Sequence, residues 1–380
     1  MNVRPPLRKA GLAAGAAMVM LAQAGPATAR AGNVQKAMEE LARADGVVGA
    51  VGGAYVDGKP IGLGSGGSRL LDGKGGGIPA NARFRIGSQT KQMVATVVLQ
   101  LVKEGRLGVD DKLGALLPEV VKDDLVTRAD QITVRQMIRH TSGIPDWYAK
   151  PNPDGSEGED PSFDVFDFTT HYRPLDLVKW SRDRPRTGEP GEKWSYSNTN
   201  YTLLGMIIER VTGHDLAAEL HGRLFGPLGM TRTYLPVKPP EGIKGPHGHG
   251  YYPDATGTLR DVDRFNASIA GAAGGVVSTA HDVSAFQRAF TQGKLLPPEL
   301  QRILTDRPPH DLRPLRKGRG SCGDDLYIVG GTAPGFLAMT FYSADGRRQL
   351  AVSATLSVKD INGPAQAMGK VVETVFCPSS

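Results

Sequence analysis

Two strand-bearing chain ends around a helical middle predict an α/β fold with a mainly helical lobe inserted into it. Three observations carry this reading. Near the N-terminus, the Gly-rich stretch 47–87 holds strand-like pieces at Val51–Val56 and Arg83–Ile86. Toward the C-terminus, Phe336–Tyr342 and Gln349–Ser357 read as strands joined by the turn chemistry of Ala344-Asp345-Gly346. Between these ends, apolar residues recur at helical spacing. The α/β lobe is expected over about 32–90 and 270–380, and the helical lobe over about 91–269.

The elements follow in order. Residues 33–44 read as a short helix. From Ser88 to Glu104, Met93, Val94, Val97, Val98, Leu101 and Val102 form one helical stripe, which Gly105 closes. Residues 110–195 mix short helices with Pro- and Asp-rich loops. The helix 201–212 carries Leu203, Leu204, Ile207, Ile208 and Val211, with Gly213 as its cap. Residues 236–275 read as loop-rich, and a further helix follows Asp282. A last helix runs through Met368, Val371, Val372 and Val375. No internal repeat is visible.

Residues 1–31 read as a secretory signal peptide. Arg4, Arg8 and Lys9 form a positive start, and Ala10–Ala24 is an apolar run too short to span a bilayer comfortably. Ala27-Thr28-Ala29 supplies the small residues of a cleavage site, after Ala29 or Ala31. A secreted, extracellular protein is therefore expected, with no membrane association after cleavage. Removing Arg4, Arg8, Lys9 and Arg30 takes the formal charge from +6 to +2. The mature chain has no dense basic stripe with interleaved aromatics, so nucleic acid is not an expected partner. With 380 residues, 40% hydrophobic, the chain is long enough for a real core, which excludes a disordered protein or a small disulfide scaffold. Cys322 and Cys377 are its two cysteines. An even count outside the cytosol favours one disulfide, and the alternative is two buried thiols.

Ser88-Gln89-Thr90-Lys91 opens the first long helix, so Ser88 and Lys91 share one helical face. A serine hydroxyl is a weak nucleophile that needs a nearby base or positive field. A lysine one turn away can supply both, and a helix N-terminus adds a backbone N–H for a developing oxyanion. Taken alone, such a pair is also what a capping serine followed by an exposed lysine looks like. Two further elements change the balance. Tyr196-Ser197-Asn198 lies just before the helix at Tyr201, where a phenol can relay a proton and an amide can orient the lysine and hold a substrate amide. Val329-Gly330-Gly331-Thr332 precedes the strand at Phe336. Its glycines let a substrate backbone approach, and a strand N–H there can complete an oxyanion hole.

In this order the three elements resemble the active-site serine penicillin-recognising family, the penicillin-binding DD-peptidases and serine β-lactamases, with Ser-x-x-Lys, Tyr-x-Asn and Lys/His-Thr-Gly motifs. The Tyr-x-Asn form is similar to the branch of class C β-lactamases, soluble DD-carboxypeptidases and related esterases, secreted actinomycete D-alanyl-D-alanine carboxypeptidases among them. Phe84-Arg85-Ile86-Gly87, His140-Thr141-Ser142-Gly143-Ile144, Pro190-Gly191-Glu192, Gly226-Pro227-Leu228-Gly229-Met230 and Ala273-Gly274-Gly275-Val276-Val277-Ser278-Thr279 extend the resemblance over roughly 33–377. It implies a β-lactamase/transpeptidase-like fold, with a central antiparallel sheet flanked by helices. It implies that Ser88 is acylated, that Lys91 and Tyr196 share the base and proton-relay work, and that Asn198 binds the substrate amide. Gly331 and Thr332 would line the substrate strand, the Ser88 and Thr332 N–H groups would form the oxyanion hole, and Arg316 would anchor a substrate carboxylate. Cys322 and Cys377 fall where the resemblance implies a disulfide. Peptidoglycan-like D-Ala-D-Ala peptides or small D-amino-acid peptides and esters would be substrates, and β-lactams covalent ligands, of a monomer that needs no cofactor.

One departure matters. Val329 stands where the family has His or Lys, and Gly330 where it has Thr or Ser. Valine donates no hydrogen bond and places no charge near a substrate carboxylate. Acyl transfer remains expected, while efficient D-Ala-D-Ala cleavage and β-lactam turnover do not follow. The expected function remains a secreted serine D-alanyl-D-alanine carboxypeptidase/transpeptidase that β-lactams trap; an esterase, D-amino-acid-specific peptidase or β-lactamase on the same scaffold is the alternative, and a catalytically dead wall-binding protein a third reading. Other candidates are weaker. Gly62-Leu63-Gly64-Ser65-Gly66-Gly67 fits a dinucleotide pattern, but no helix follows it. His247-Gly248-His249 has no carboxylate or further histidine at ligand spacing and reads as loop, so no metal is expected. His140 reads as structural. The absence of Gly-x-Ser-x-Gly disfavours an α/β-hydrolase.

Overall fold

The computed structural model describes residues 31–148, 161–306, 318–319 and 325–376. Residues 1–30 of the expected signal segment 1–31, together with Arg316, Cys322 and Cys377, lie outside the described residues.

The centre of the fold is a six-stranded antiparallel sheet in the order β2-β1-β10-β9-β8-β7. Its strands are β1 (Val47–Val56), β2 (Lys59–Gly67), β7 (Gly318–Arg319), β8 (Asp325–Ala333), β9 (Phe336–Ser343) and β10 (Arg348–Leu356). Two small ribbons stand beside it: β3 (Phe84–Arg85) with β6 (Val277–Ser278), and β4 (Tyr251–Pro253) with β5 (Leu259–Asp261). The two ends of the chain meet where β1 pairs with β10, from Val47↔Leu356 to Val56↔Arg348.

Helices cover both faces. α1 (Ala31–Leu41) and α12 (Asn362–Phe376) lie on one, α2 (Gln89–Lys103) and α10 (Ala280–Thr291) on the other. Strand periodicity explains the division. Leu350, Val352, Ala354 and Leu356 alternate toward Val34 and Met38 of α1 and Met368 and Val371 of α12, while Ala351 joins Val51 and Tyr55 in the core around α2. Each fully buried Leu, Val or Met side chain among them contributes about 1.5–3 kcal/mol. The dinucleotide-like glycine run lies in β2 and serves packing: a Cβ on Gly66 would stand 2.8 Å from the Glu39 backbone, so glycine lets α1 lie directly on the strand.

The middle of the chain supplies α3 (Leu113–Leu116), α4 (Pro118–Lys122), α5 (Val134–Ile138), α6 (Pro174–Arg182), α7 (Asn198–Thr212), α8 (Leu216–Leu220), α9 (Ala267–Gly274) and α11 (Pro298–Thr305). Thr133 and Gln136 form a reciprocal capping box at the start of α5. α2 is buried beyond the expected stripe, with Ala95, Thr96 and Leu99 also enclosed, because α7, α9 and α11 surround it. α7 starts at Asn198, three residues ahead of the expected 201, and Gly213 closes it in the left-handed conformation at φ +77°.

The stretch 236–275, read from sequence as loop-rich, contains β4, β5 and α9. The strands have three residues each, too few for alternation to register. α9 is a run of Ala and Gly with a non-helical Gly271, and its start is fixed by the Asn266 side chain accepting from Ser268 N–H rather than by an apolar stripe. No helix among the described residues is long and apolar enough to cross a membrane.

Candidate active site

Ser88 leads out of β3 into α2, at the helix N-cap position, but its side chain makes no capping bond. The hydroxyl is engaged elsewhere. Ser88 Oγ lies 2.7 Å from Tyr196 Oη, and Lys91 Nζ donates to Ser88 Oγ at 3.1 Å. Lys91, 6% exposed, also donates to Asn198 Oδ1 at 2.7 Å and to the Ala273 carbonyl at 2.5 Å. Its charge faces the rings of Tyr196 and Tyr201, at 4.8 and 5.6 Å from their centroids. The structure thus brings Ser88, Lys91, Tyr196 and Asn198 into one hydrogen-bonded cluster.

Each member is held by its own element. Ile86 N–H donates to the Val276 carbonyl and Val276 N–H to Thr90 Oγ1, which binds the start of α2 to the β6 segment. Thr340 Oγ1 on β9 donates to Gln89 Oε1. Tyr196 stacks on His140 at 4.6 Å, and His140 Nδ1 accepts from the Ser197 N–H. His140 therefore positions the tyrosine segment. Asn198 is the first residue of α7, and Asp146 fixes it twice, through Asn198 N–H and Nδ2.

β8 closes the site. A Cβ on Gly331 would stand 2.5 Å from Ser88 N, and one on Gly87 would stand 2.5 Å from Thr332 N. Only glycine at both positions lets the strand pass this close. β8 turns into β9 through Pro334-Gly335, pairing Ala333 with Phe336. Ladder alternation then turns the Thr332 N–H out of the pairing and toward the edge occupied by Gly87 and Ser88. Gly331 and Thr332 are thus where the sequence places an oxyanion edge. Val329 lies on the same face as Gly331, two residues back, and contributes no donor.

The cluster opens into a cavity of about 790 Å³. Ser88, Tyr196, Asn198 and Thr332 lie on its polar side, and Trp147, Tyr148, Tyr252, Phe265 and Ile269 form an apolar wall. Sequence reasoning missed Asp146 and the Ala273 carbonyl. Asp146 follows the His140–Ile144 run by two residues, and Ala273 opens the Ala273–Thr279 run, so both bordered segments already singled out. A backbone acceptor leaves no side-chain signature.

Asp146 is the electrostatic anchor. Burial pushes its carboxyl above the usual range, while the Tyr148 N–H, the Lys91 charge and Asn198 pull it back. Its charge therefore weighs against the folded state above its folded-state pKa, and that cost is relieved as pH falls through this value. Asp146→Ala leaves the Asn198 and Tyr148 N–H groups without their acceptor. It is expected to cost roughly 2–4 kcal/mol in unfolding free energy and, by releasing Asn198, about 100-fold in kcat/KM. Denaturant melts and steady-state kinetics check both, and Asp146→Asn, which keeps one acceptor oxygen, should recover part of each.

The family model described as Beta-lactamase matches residues 34–363. The chain belongs to this β-lactamase family. It is a serine hydrolase of the β-lactamase/transpeptidase fold. Penicillin-binding protein 4* of Bacillus subtilis (strain 168) is 30% identical over 184 residues, 47% of this chain and 36% of that protein, so the match spans about a third of that relative. A D-stereospecific amidohydrolase from Streptomyces sp. is 30% identical with a TM-score of 0.75, covering 92% of this chain and 99% of that one. The D-amino acid amidase of Ochrobactrum anthropi SV3, solved with D-phenylalanine, shares the fold at 24% identity and a TM-score of 0.74, covering 90% and 98%.

The same β-lactamase-type frame also corrects one sequence reading. His247 and His249 do acquire a carboxylate: the β4–β5 ribbon folds the chain back and brings Asp263 beside them.

Proposed function

We propose that the protein is an exported serine amidohydrolase that acts through an acyl-enzyme on amides and esters of D-amino acids. The observation that carries this reading is the composition of β8 beside Ser88. The strand keeps the backbone edge of the third motif at Gly331 and Thr332, but Val329 and Gly330 offer neither the donor nor the charge that a substrate's terminal carboxylate would call for. An amide or ester without that carboxylate makes no such demand. The near full-length likeness to a D-stereospecific amidohydrolase supports the same substrate class. The aromatic wall of Trp147, Tyr148 and Phe265 suits a bulky apolar side chain.

The chemistry follows from the cluster. Ser88 Oγ accepts from Lys91 and shares a hydrogen bond with Tyr196 Oη in which either oxygen can be the donor. As Oγ forms a bond to the substrate carbonyl carbon, the serine proton passes to the member of the Lys91–Tyr196 pair that enters the step without its own proton, Nζ as free amine or Oη as phenolate. The oxyanion forms against the Ser88 and Thr332 N–H groups. The pair returns the proton to the leaving amine or alcohol as its bond to carbon breaks, and water then cleaves the acyl ester by the reverse route. Asn198, fixed by Asp146, holds the substrate amide.

A second reading, a D-alanyl-D-alanine carboxypeptidase or transpeptidase trapped by β-lactams, is favoured by the complete Ser88–Lys91–Tyr196–Asn198 cluster and by the name of the Bacillus relative. A substrate panel separates the two. D-phenylalanine amide and short-chain esters should be cleaved with kcat/KM at least about tenfold above that of a D-Ala-D-Ala peptide, a difference of 1.4 kcal/mol in barrier. L-phenylalanine amide should be the poorer enantiomer. Untouched amides and esters beside cleaved D-Ala-D-Ala peptides would reject the proposal in favour of the carboxypeptidase.

A further inference from the structure

Away from Ser88, His247, His249 and Asp263 each place a ligand-type atom within 4.8 Å of the other two. The hydrogen bonds around them follow a pattern seen at metal sites. His247 Nδ1 faces the Gly245 carbonyl at 2.5 Å, and His249 Nδ1 faces Asp261 Oδ2 at 2.7 Å. Each ring thus has one nitrogen held by an oxygen acceptor, as metal-ligating histidines almost always do, and each keeps Nε2 for something else. His247 Nε2 lies 2.7 Å from Asp263 Oδ1. With Nδ1–H given to Gly245, a neutral ring would turn an Nε2 lone pair at a carboxylate, so a proton or a metal ion must stand between them. The two imidazoles are parallel within 3°, centroids 5.1 Å apart. The bordering arginines donate to backbone carbonyls, Arg85 to Asp263 O and Arg69 to His247 O.

We propose that His247, His249 and Asp263 bind a divalent transition-metal ion of the zinc class, with Asp261 orienting His249. Two nitrogens and a carboxylate oxygen are the donor set of a tetrahedral zinc site whose fourth position takes water. Ligands on one such ion stand about 3.3 Å apart. Binding therefore opens the His247–Asp263 pair by a few tenths of an ångström and draws in His249, whose side chain is partly exposed and has room to move. The ion would join the segment entering β4 to the segment leaving β5. That ribbon carries Tyr252, and the chain runs on from Asp263 to Phe265, both on the wall of the catalytic cavity. The site would thereby stiffen one wall of the pocket without touching Ser88.

The test uses the mature protein and metal alone. Calorimetry with Zn²⁺, and the visible absorption of Co²⁺ as a probe of tetrahedral nitrogen and oxygen ligands, should report one ion per chain and a raised Tm. His249→Ala, at a partly exposed position, should fold normally and lose that ion, the Tm shift and the Co²⁺ bands. Asp263→Asn should do the same, and Asp261→Asn should weaken binding by about 10–100-fold. No binding at micromolar Zn²⁺ by wild type, or equal stoichiometry and equal Tm shift in wild type and His249→Ala, would overturn the proposal. These readouts do not depend on which substrate the enzyme takes.

Discussion

Ser88→Ala is expected to abolish covalent labelling of the protein. Wild type exposed to a fluorescent penicillin or an acylating ester probe should gain the mass of one adduct, and the variant none. The expectation rests on how fully the hydroxyl is committed to chemistry. Lys91 and Tyr196 both address it, at 3.1 and 2.7 Å, and it leaves its helix uncapped to stay there. Removing the nucleophile from a cooperative cluster costs on the order of 10⁴–10⁶ in kcat. The fold should survive, since the hydroxyl caps nothing and alanine leaves the Thr340–Gln89 and Val276–Thr90 anchors in place. Intact-mass spectrometry decides the matter. Labelling that persists in the variant would put the nucleophile elsewhere, and labelling of wild type would dispose of the catalytically dead wall-binding reading.

Gly331→Ala should produce the second large effect, through geometry alone. The new methyl would meet Ser88 N at 2.5 Å and the Ile86 carbonyl closer still, both of them backbone that cannot swing aside. β8 must then move off β3, which takes the Thr332 N–H away from the oxyanion position. Loss of one oxyanion donor costs about 10²–10³ in kcat. KM should change little, because the ground-state carbonyl gains least from that donor. Gly330→Ala is the matched control: its Cβ would find its nearest neighbour at 3.8 Å, an ordinary contact, and activity should stay within about twofold of wild type. Equal kinetics for the two variants would mean that β8 does not carry the oxyanion edge.

How much of this was legible in the sequence differs by residue. Ser88, Lys91, Tyr196 and Asn198 could be read because each combines a reactive side chain with a spacing that a helix or tight segment converts into proximity. Gly331 was visible as a glycine at a strand edge, though not the distances that make it necessary. Asp146 and the Ala273 carbonyl were not read, since one acts through another residue and the other is main chain. The β4–β5 ribbon shows the same limit at the level of the fold. Its strands are too short for alternation, and the pairing of His247 with Asp263 is a long-range consequence of that ribbon rather than of local spacing. The central sheet was readable from β9 and β10, whose alternation and turn chemistry are local, and α2 from its stripe.

The pairing of β1 with β10 also governs when the enzyme can exist. Val47 finds Leu356 only after nearly the whole chain is available, so the central sheet has high contact order and must close a very large loop before its contacts stabilise anything. Ser88 is made early, yet its oxyanion edge at Thr332 comes late and its strand is held in place by β9 and β10. A growing chain thus holds a nucleophile with no machinery around it. Hydrolytic competence therefore depends on the closed sheet, because the oxyanion edge is part of it.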